Sequence, residues 1–337
     1  MSVARPHITW RPRTGVLGYL CIAAATLFWG VSATLGRAVF TGRLRFGGRV
    51  VEIIPPLMLA QSRTTFALLV LLPLMLALRG RGKLRMAPRD ARDAILLGTL
   101  GVAASNFFYY VAIQLTSVAT AIILQYLAPA FVLLYMVVRG LQKATVDRVS
   151  GVVMAIGGSV LAIGAVGLVR GFPWLSLRAG QLHFNTLGIA AALAAAATFA
   201  FYNVFARHLV EGHDHWKVLT WALGGAAVFW LIINPPWKVL AAHYSGTQWA
   251  FMAVFSITSI LIPFSLYFWG LQFLDATRAI VTSCLEPAFS ITIAAIWLGE
   301  GVGGVQIAGI LLVLAATVVV QRPERRAAPG VLVEPME

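Results

Sequence analysis

Charge is what this sequence most conspicuously lacks. Only 11% of its 337 residues are Asp, Glu, Lys or Arg, against roughly 25% in an average soluble domain, too few to clothe a surface in water. Acids are the scarcer sign: 12 Asp and Glu stand against 26 Lys and Arg, for a formal net charge of +14. Cysteine is almost absent. Cys21 and Cys284 both sit in apolar stretches, which argues against a disulfide framework, and no CxxC pair offers zinc or redox chemistry. The chain has no GxSxG or HExxH motif, and Gly82-Lys83 lacks the spacing of a phosphate-binding loop. No RNA-recognition, zinc-finger or helix-turn-helix signature accompanies the basic residues, so nucleic acid is not an expected partner. His213-Asp214-His215 stands without further ligands and reads as a solvated loop. Neither a metal nor a cofactor is therefore expected.

What is there is apolar. Hydrophobic residues make up 59% of the chain and the mean hydropathy is +0.84. Several runs approach or exceed the ~20 residues that span a hydrocarbon core. Lipid offers no water to backbone amides, so such runs must be helices or a closed barrel. They are continuous rather than alternating, which excludes the barrel. The sequence predicts an all-α integral membrane protein with ten spans, near 15–40, 53–78, 94–113, 118–138, 149–169, 187–209, 216–234, 249–271, 278–298 and 303–321. Residues 1–14 and 322–337 read as cytoplasmic tails. The first span has a basic flank and a small-residue patch like those of a signal peptide, but cleavage is not expected, because it would leave nine spans. With the N-terminus inside, the inner segments hold most Lys and Arg, including the run Arg79–Arg92. The outer side keeps only Arg37, Arg43, Arg45, Arg49, Arg170, Arg178 and Lys238. This bias predicts that both termini are cytoplasmic.

The two halves resemble each other. Tyr109-Tyr110-Val111-Ala112-Ile113-Gln114 meets Tyr267-Phe268-Trp269-Gly270-Leu271-Gln272, and the register continues through Ala121-Ile122 with Ala279-Ile280. It then pairs Leu127-Ala128-Pro129-Ala130-Phe131 with Leu285-Glu286-Pro287-Ala288-Phe289. After a small deletion, Gly151-Val152 matches Gly304-Val305. The expected organisation is a first repeat at 15–169, an outer connection at 170–186 and a second repeat at 187–321. Five spans per repeat is an odd number, so the second copy must enter from the opposite face. That gives a five-plus-five inverted-topology repeat, in which a midplane site changes access as one set of helices rocks against another.

Further residues carry a resemblance to a known family. They are Ala24-Ala25-Thr26-Leu27-Phe28-Trp29-Gly30, Ser62-Arg63, Ala119-Thr120-Ala121-Ile122 with Leu127-Ala128-Pro129, and Leu285-Glu286-Pro287. Trp297-Leu298-Gly299-Glu300 and Gln306-Ile307-Ala308-Gly309 complete the set. From about Gly15 to Gln321 the chain resembles the EamA-type transporters of the drug/metabolite transporter superfamily. The resemblance implies a bacterial-type cytoplasmic (inner) membrane and export of metabolites such as amino acids, aromatic ones included. The long basic outer loop Thr41–Glu52 departs from the pattern. The partners expected are a small solute and the bilayer, with the chain acting as a monomer.

A charge inside lipid costs ~3 kcal/mol on insertion scales, so the two deepest ones stand out. Arg63 either faces the pathway and meets an anionic group, such as a substrate carboxylate, or pairs with a carbonyl or with Glu286 as a fixture. Glu286 is the clear intramembrane acid and the candidate for proton coupling; the alternative is a carboxylate locked to capping groups beside Pro287. Pro129 and Pro287 hold equivalent places and read as hinges or as static kinks. The substrate-contacting set expected alongside Arg63 is Trp29, Asn106, Tyr110, Gln125, Tyr126, Tyr202, Asn203, Trp269, Thr282 and Ser283. Gly157-Gly158 and Gly224-Gly225 are expected at close helix crossings. A membrane-embedded enzyme is the rival class, and nucleotide sugars or cationic drugs are rival solutes.

Overall fold

The computed structural model describes residues 12–40, 42, 44–116, 118–163, 166–168, 175–177, 185–298 and 302–322. Helices dominate, because only a helix lets an isolated apolar segment satisfy its own amides. In the first half they are α1 (Pro12–Phe40), α2 (Pro56–Leu84), α3 (Pro88–Leu96), α4 (Ala104–Leu115), α5 (Val118–Gln125), α6 (Ala128–Val138) and α7 (Val146–Ala162). The second half has α8 (Thr186–Gly212), α9 (His215–Ile233), α10 (Pro236–Ala241), α11 (Gly246–Ser256), α12 (Ile262–Leu271), α13 (Ala276–Ser283), α14 (Glu286–Leu298) and α15 (Gly304–Val320). Joined end to end, they make eight stretches long and apolar enough to cross a membrane among the described residues, and Gly304–Val320 is a shorter apolar helix.

Strand content is not zero. β1 (Arg45–Phe46) and β2 (Arg49–Val50) pair antiparallel in the basic loop after α1. Their link is Gly47-Gly48, both at positive φ (57° and 78°), the conformation a two-residue hairpin loop requires. β3 (Val166–Leu168) pairs with β4 (Leu175–Leu177). This corrects the expected fifth span: α7 stops at Ala162, and Val166–Leu168, read as its continuation, form a strand of a hairpin. The run stays apolar across the change, and hydropathy alone does not separate a strand from a helix end. Most of the expected tails and of the connection at 170–186 fall outside the described residues, though α1 already begins at Pro12, inside the expected first tail.

The halves share irregularities as well as order. A π-helical segment at Leu97–Ala103 joins α3 to α4, and another at Ile257–Leu261 joins α11 to α12. Tyr109 and Tyr267 are 158 positions apart (267 − 109); the same shift places the second π segment on 99–103, inside the first. Between α5 and α6 the helix breaks at Tyr126-Leu127, and between α13 and α14 at Cys284-Leu285, again 158 positions on. Each break is tightened by i→i+3 bonds: Leu127 N–H to Leu124 O at 3.1 Å, and Leu285 N–H to Thr282 O at 3.1 Å. Pro129 and Pro287 are thus second residues of new helices rather than interior kinks, where the missing N–H has no partner to lose.

Packing exchanges partners between halves. Helix α1 lies against α12, α13 and α14, while α8 lies against α4, α5 and α6. Helices α2 and α9 pair, held at one end by Gln61 Nε2 donating to Asn234 O (2.6 Å) and at the other by Arg79 with Asp214 (2.7 Å). Helices α7 and α15 cross where Gly158 meets Gly309; a methyl added at Gly309 would lie 2.6 Å from Gly158 O. Gly225 sits against the Ile95 backbone in the same way, whereas Gly157 and Gly224 have room around them.

Candidate functional site

Between these exchanged helices lies a cavity of about 820 Å³, lined from both halves and within the ~300–1,000 Å³ typical of small-molecule sites. Both helix breaks and both π segments contribute to its wall, through Gln125, Tyr126, Cys284, Glu286, Gly101, Val102 and Ser259. Such interruptions are tolerated at membrane depth where they line a cavity, and they put polar groups there without a continuous helical stripe of them.

Arg63 enters from α2. Its Nη2 donates to Asn106 Oδ1, and the guanidinium carbon stands 5.9 Å from the Tyr110 ring centroid. Asn106 in turn donates to Val102 O at 2.7 Å, which fixes its amide so that the oxygen faces the arginine. Ser256 Oγ binds the Arg63 carbonyl at 2.5 Å. The arginine is therefore held from two directions, yet its Nε is buried without a hydrogen-bond partner. Glu286 occupies the first turn of α14, where the helix dipole favours an anion. Among the described residues its carboxylate has no hydrogen bond and no ion pair, so it is neither locked to a cap nor paired with Arg63. Arg63 and Glu286 thus face one cavity within each other's electrostatic reach but without a direct ion pair among the described residues.

The apolar part of the wall includes an aromatic group. Trp29 lies 5.6 Å from Phe264 and 5.2 Å from Tyr267, centroid to centroid. Tyr202 stacks on Phe199 at 5.7 Å. The Tyr202 hydroxyl is buried without a partner, as is that of Ser259.

Of the residues picked out by sequence, Trp29, Arg63, Asn106, Tyr110, Gln125, Tyr126, Tyr202, Ser283 and Glu286 lie on this wall, with Pro129 and Pro287. Three lie elsewhere. Trp269 faces outward, 39% exposed, and stacks on His215 at 6.2 Å. Thr282 is buried and returns its hydroxyl to Arg278 O at 2.8 Å. Asn203 is buried behind the wall, accepting from Tyr267 Oη and donating to Phe199 O at 2.7 Å. Sequence reasoning missed Tyr109, Phe199, Phe264, Ser105, Ser290 and Gln306, all on the wall. Ser290 was within reach of it, four residues after Glu286 and so on the same helix face. Nothing in the sequence separates Phe199 or Phe264 from core phenylalanines.

The cavity is one-sided. Its wall runs from Phe199, Tyr202 and Ile280 at mid-helix to Gly36, Ile113, Ile163 and Val302 at one end of the bundle. No lining residue comes from the other end, which carries the start of α1. There Asp275 pairs with Arg278 (3.5 Å) and Arg148 (3.9 Å), and Thr277 donates to Gln142 Oε1 at 2.7 Å. The loop between α8 and α9 is at this end too. Its three polar side chains diverge: His213 to Asp90 (3.1 Å), Asp214 to Arg79, His215 to Trp269. Burial works to raise the Asp214 carboxyl, but hydrogen bonds from Arg79 and the Lys217 N–H and the nearby positive charges outweigh it, leaving the group below the usual carboxylate range.

A model of the EamA-like transporter family matches the chain at residues 16–164 and 186–322. Among similar proteins is the uncharacterized inner membrane transporter YicL of Salmonella typhimurium, 23% identical over 92% of this chain and 97% of that protein. The threonine/homoserine exporter RhtA of the same species is 24% identical over 81% of this chain and 86% of its own length. A solved crystal structure with 20% sequence identity superimposes with a TM-score of 0.70, covering 92% of this chain and 96% of that one.

Proposed function

The chain belongs to the EamA-like transporter family, and from that premise we propose that it is a secondary transporter or facilitator exporting small organic metabolites, foremost amino acids and aromatic ones among them. It is a multi-pass membrane protein whose relatives are named as bacterial transporters. The observation that carries the finer reading is the cavity itself: a held arginine, a carboxylate without an ion pair among the described residues, and a wall that includes Trp29, Phe199, Tyr202 and Phe264. Arg63 suits a substrate carboxylate, Trp29, Phe199 and Phe264 suit an apolar or aromatic side chain, and Glu286 is the group available to carry a proton. That RhtA is named as an exporter of amino acids supports the choice.

In this reading α7 and α15 are the fifth and tenth spans of an inverted five-plus-five repeat, and the breaks before Pro129 and Pro287 let the ends of the bundle open alternately. The excess of Lys and Arg at the end where α1 begins supports cytoplasmic termini in an inner membrane, and the cavity is complete within one chain. Reconstituting the protein alone into liposomes loaded with labelled amino acids, with and without a pH gradient, tests the reading. Saturable efflux above protein-free vesicles is expected; its absence for every amino acid removes the substrate class.

A further inference from the structure

We propose that the ion cluster around Asp275 is a clamp that holds the end of the bundle carrying the α1 N-terminus shut, and that, because the matched sequence positions of the other repeat carry no charge, it sets the resting conformation to the one open at the opposite end. This rests on the alternating-access reading above. Asp275 precedes α13 and draws together elements from both halves. Arg148 comes from α7 in the first half and Arg278 from α13 in the second, at 3.9 and 3.5 Å. Arg207 of α8 and Tyr19 of α1 lie within its electrostatic reach. Arg278 also donates from Nε to Val320 O of α15 at 3.2 Å, and Arg207 from Nη1 to Leu271 O of α12 at 2.7 Å. Asp275 and Glu211, which pairs with Arg207 at 2.9 Å, thus stand among three arginines where α1, α7, α8, α13 and α15 converge, at the end from which no cavity-lining residue comes. None of Asp275, Arg278 and Arg148 lines the cavity itself.

The repeat supplies the comparison. Moving back by 158 residues takes Asp275 to Ser117 and Arg278 to Thr120. The 153-residue shift that pairs Gly151 with Gly304 takes Arg148 to Gly301. None of the three counterparts carries a charge. In the inverted-repeat reading these matched positions belong to the opposite end, the one the cavity wall reaches. At these matched positions the two repeats therefore differ in charge, and an equilibrium between two states shifts only by the difference in free energy between them.

Asp275→Asn tests the clamp without removing the helix start, because Asn caps as well as Asp and the Arg278 N–H bond at 2.9 Å is to a side-chain oxygen that Asn retains. Arg148→Gln breaks the same ion pair and leaves that cap untouched. In a Cys21→Ala, Cys284→Ala background in nanodiscs, spin-label pairs at Lys143 with His208, and at Gln114 with Gly303, read the closed and open ends by pulsed EPR. The proposal expects both variants to lengthen the first distance and shorten the second, changing the ratio of the two populations by about fivefold or more. Unchanged distances in both variants, even with a lowered melting temperature, would make the cluster a static staple and overturn the proposal. The readout needs no solute, so a chain that moves no amino acid still decides it.

Discussion

Arg63 and Glu286 are each expensive to keep in a bilayer, and the cavity holds both without a direct ion pair among the described residues. Asn106, the Tyr110 ring and Ser256 fix the arginine, the placement that the proposed contact with a substrate carboxylate requires. Replacing Glu286 by Gln should leave a folded protein whose flux no longer responds to a pH gradient; an undiminished response in liposomes would remove its coupling role. Trp29→Ala should weaken transport of aromatic solutes by about tenfold relative to small ones, a difference of about 1.4 kcal/mol, whereas Trp269→Ala, which faces outward, should change both alike and slightly. Competition assays with phenylalanine and alanine separate the two outcomes. Both charges were legible in the sequence because any charge within an apolar span is conspicuous. Asn203, Thr282 and Trp269 misled because a span apolar on every face gives no periodicity to say which side meets the cavity. Phe199 and Phe264 were invisible for the same reason.

At the scale of elements, matched irregularities matter more than matched helices. The two π segments and the two breaks sit 158 residues apart in pairs, and each brings wall residues to the cavity. The repeated prolines marked the breaks in the sequence, though as kinks; the structure makes them helix starts. The π segments carry no sequence signal, since Leu97–Ala103 and Ile257–Leu261 read as ordinary apolar helix. Close crossings were half legible. Of the two Gly-Gly pairs, Gly158 and Gly225 touch a neighbouring backbone and Gly157 and Gly224 do not, because adjacent helical residues point about 100° apart. Gly309→Leu should therefore force α7 and α15 apart and lower stability by about 1–3 kcal/mol, while Gly224→Leu should be close to neutral. Thermal unfolding in detergent distinguishes them, and equal shifts would contradict the crossing described.

Across the whole molecule, the exchange of partners makes one cavity out of two halves. Helix α1 completes the second half's third and fourth helical stretches, and α8 does the same for the first. Neither half encloses the site alone, and the repeated sequence register already implied that both would contribute. What the register did not imply is that the cavity would reach only one end. That asymmetry comes from the residues in which the repeats differ, above all Asp275 and its arginines. The measurement that bears most directly on the account is flux of labelled phenylalanine in proteoliposomes of the wild type and of Arg63→Gln, matched for folded protein. The account predicts saturable flux for the wild type and at least a tenfold weaker apparent affinity, about 1.4 kcal/mol, in the variant. No flux in the wild type, or equal flux in both, would contradict it.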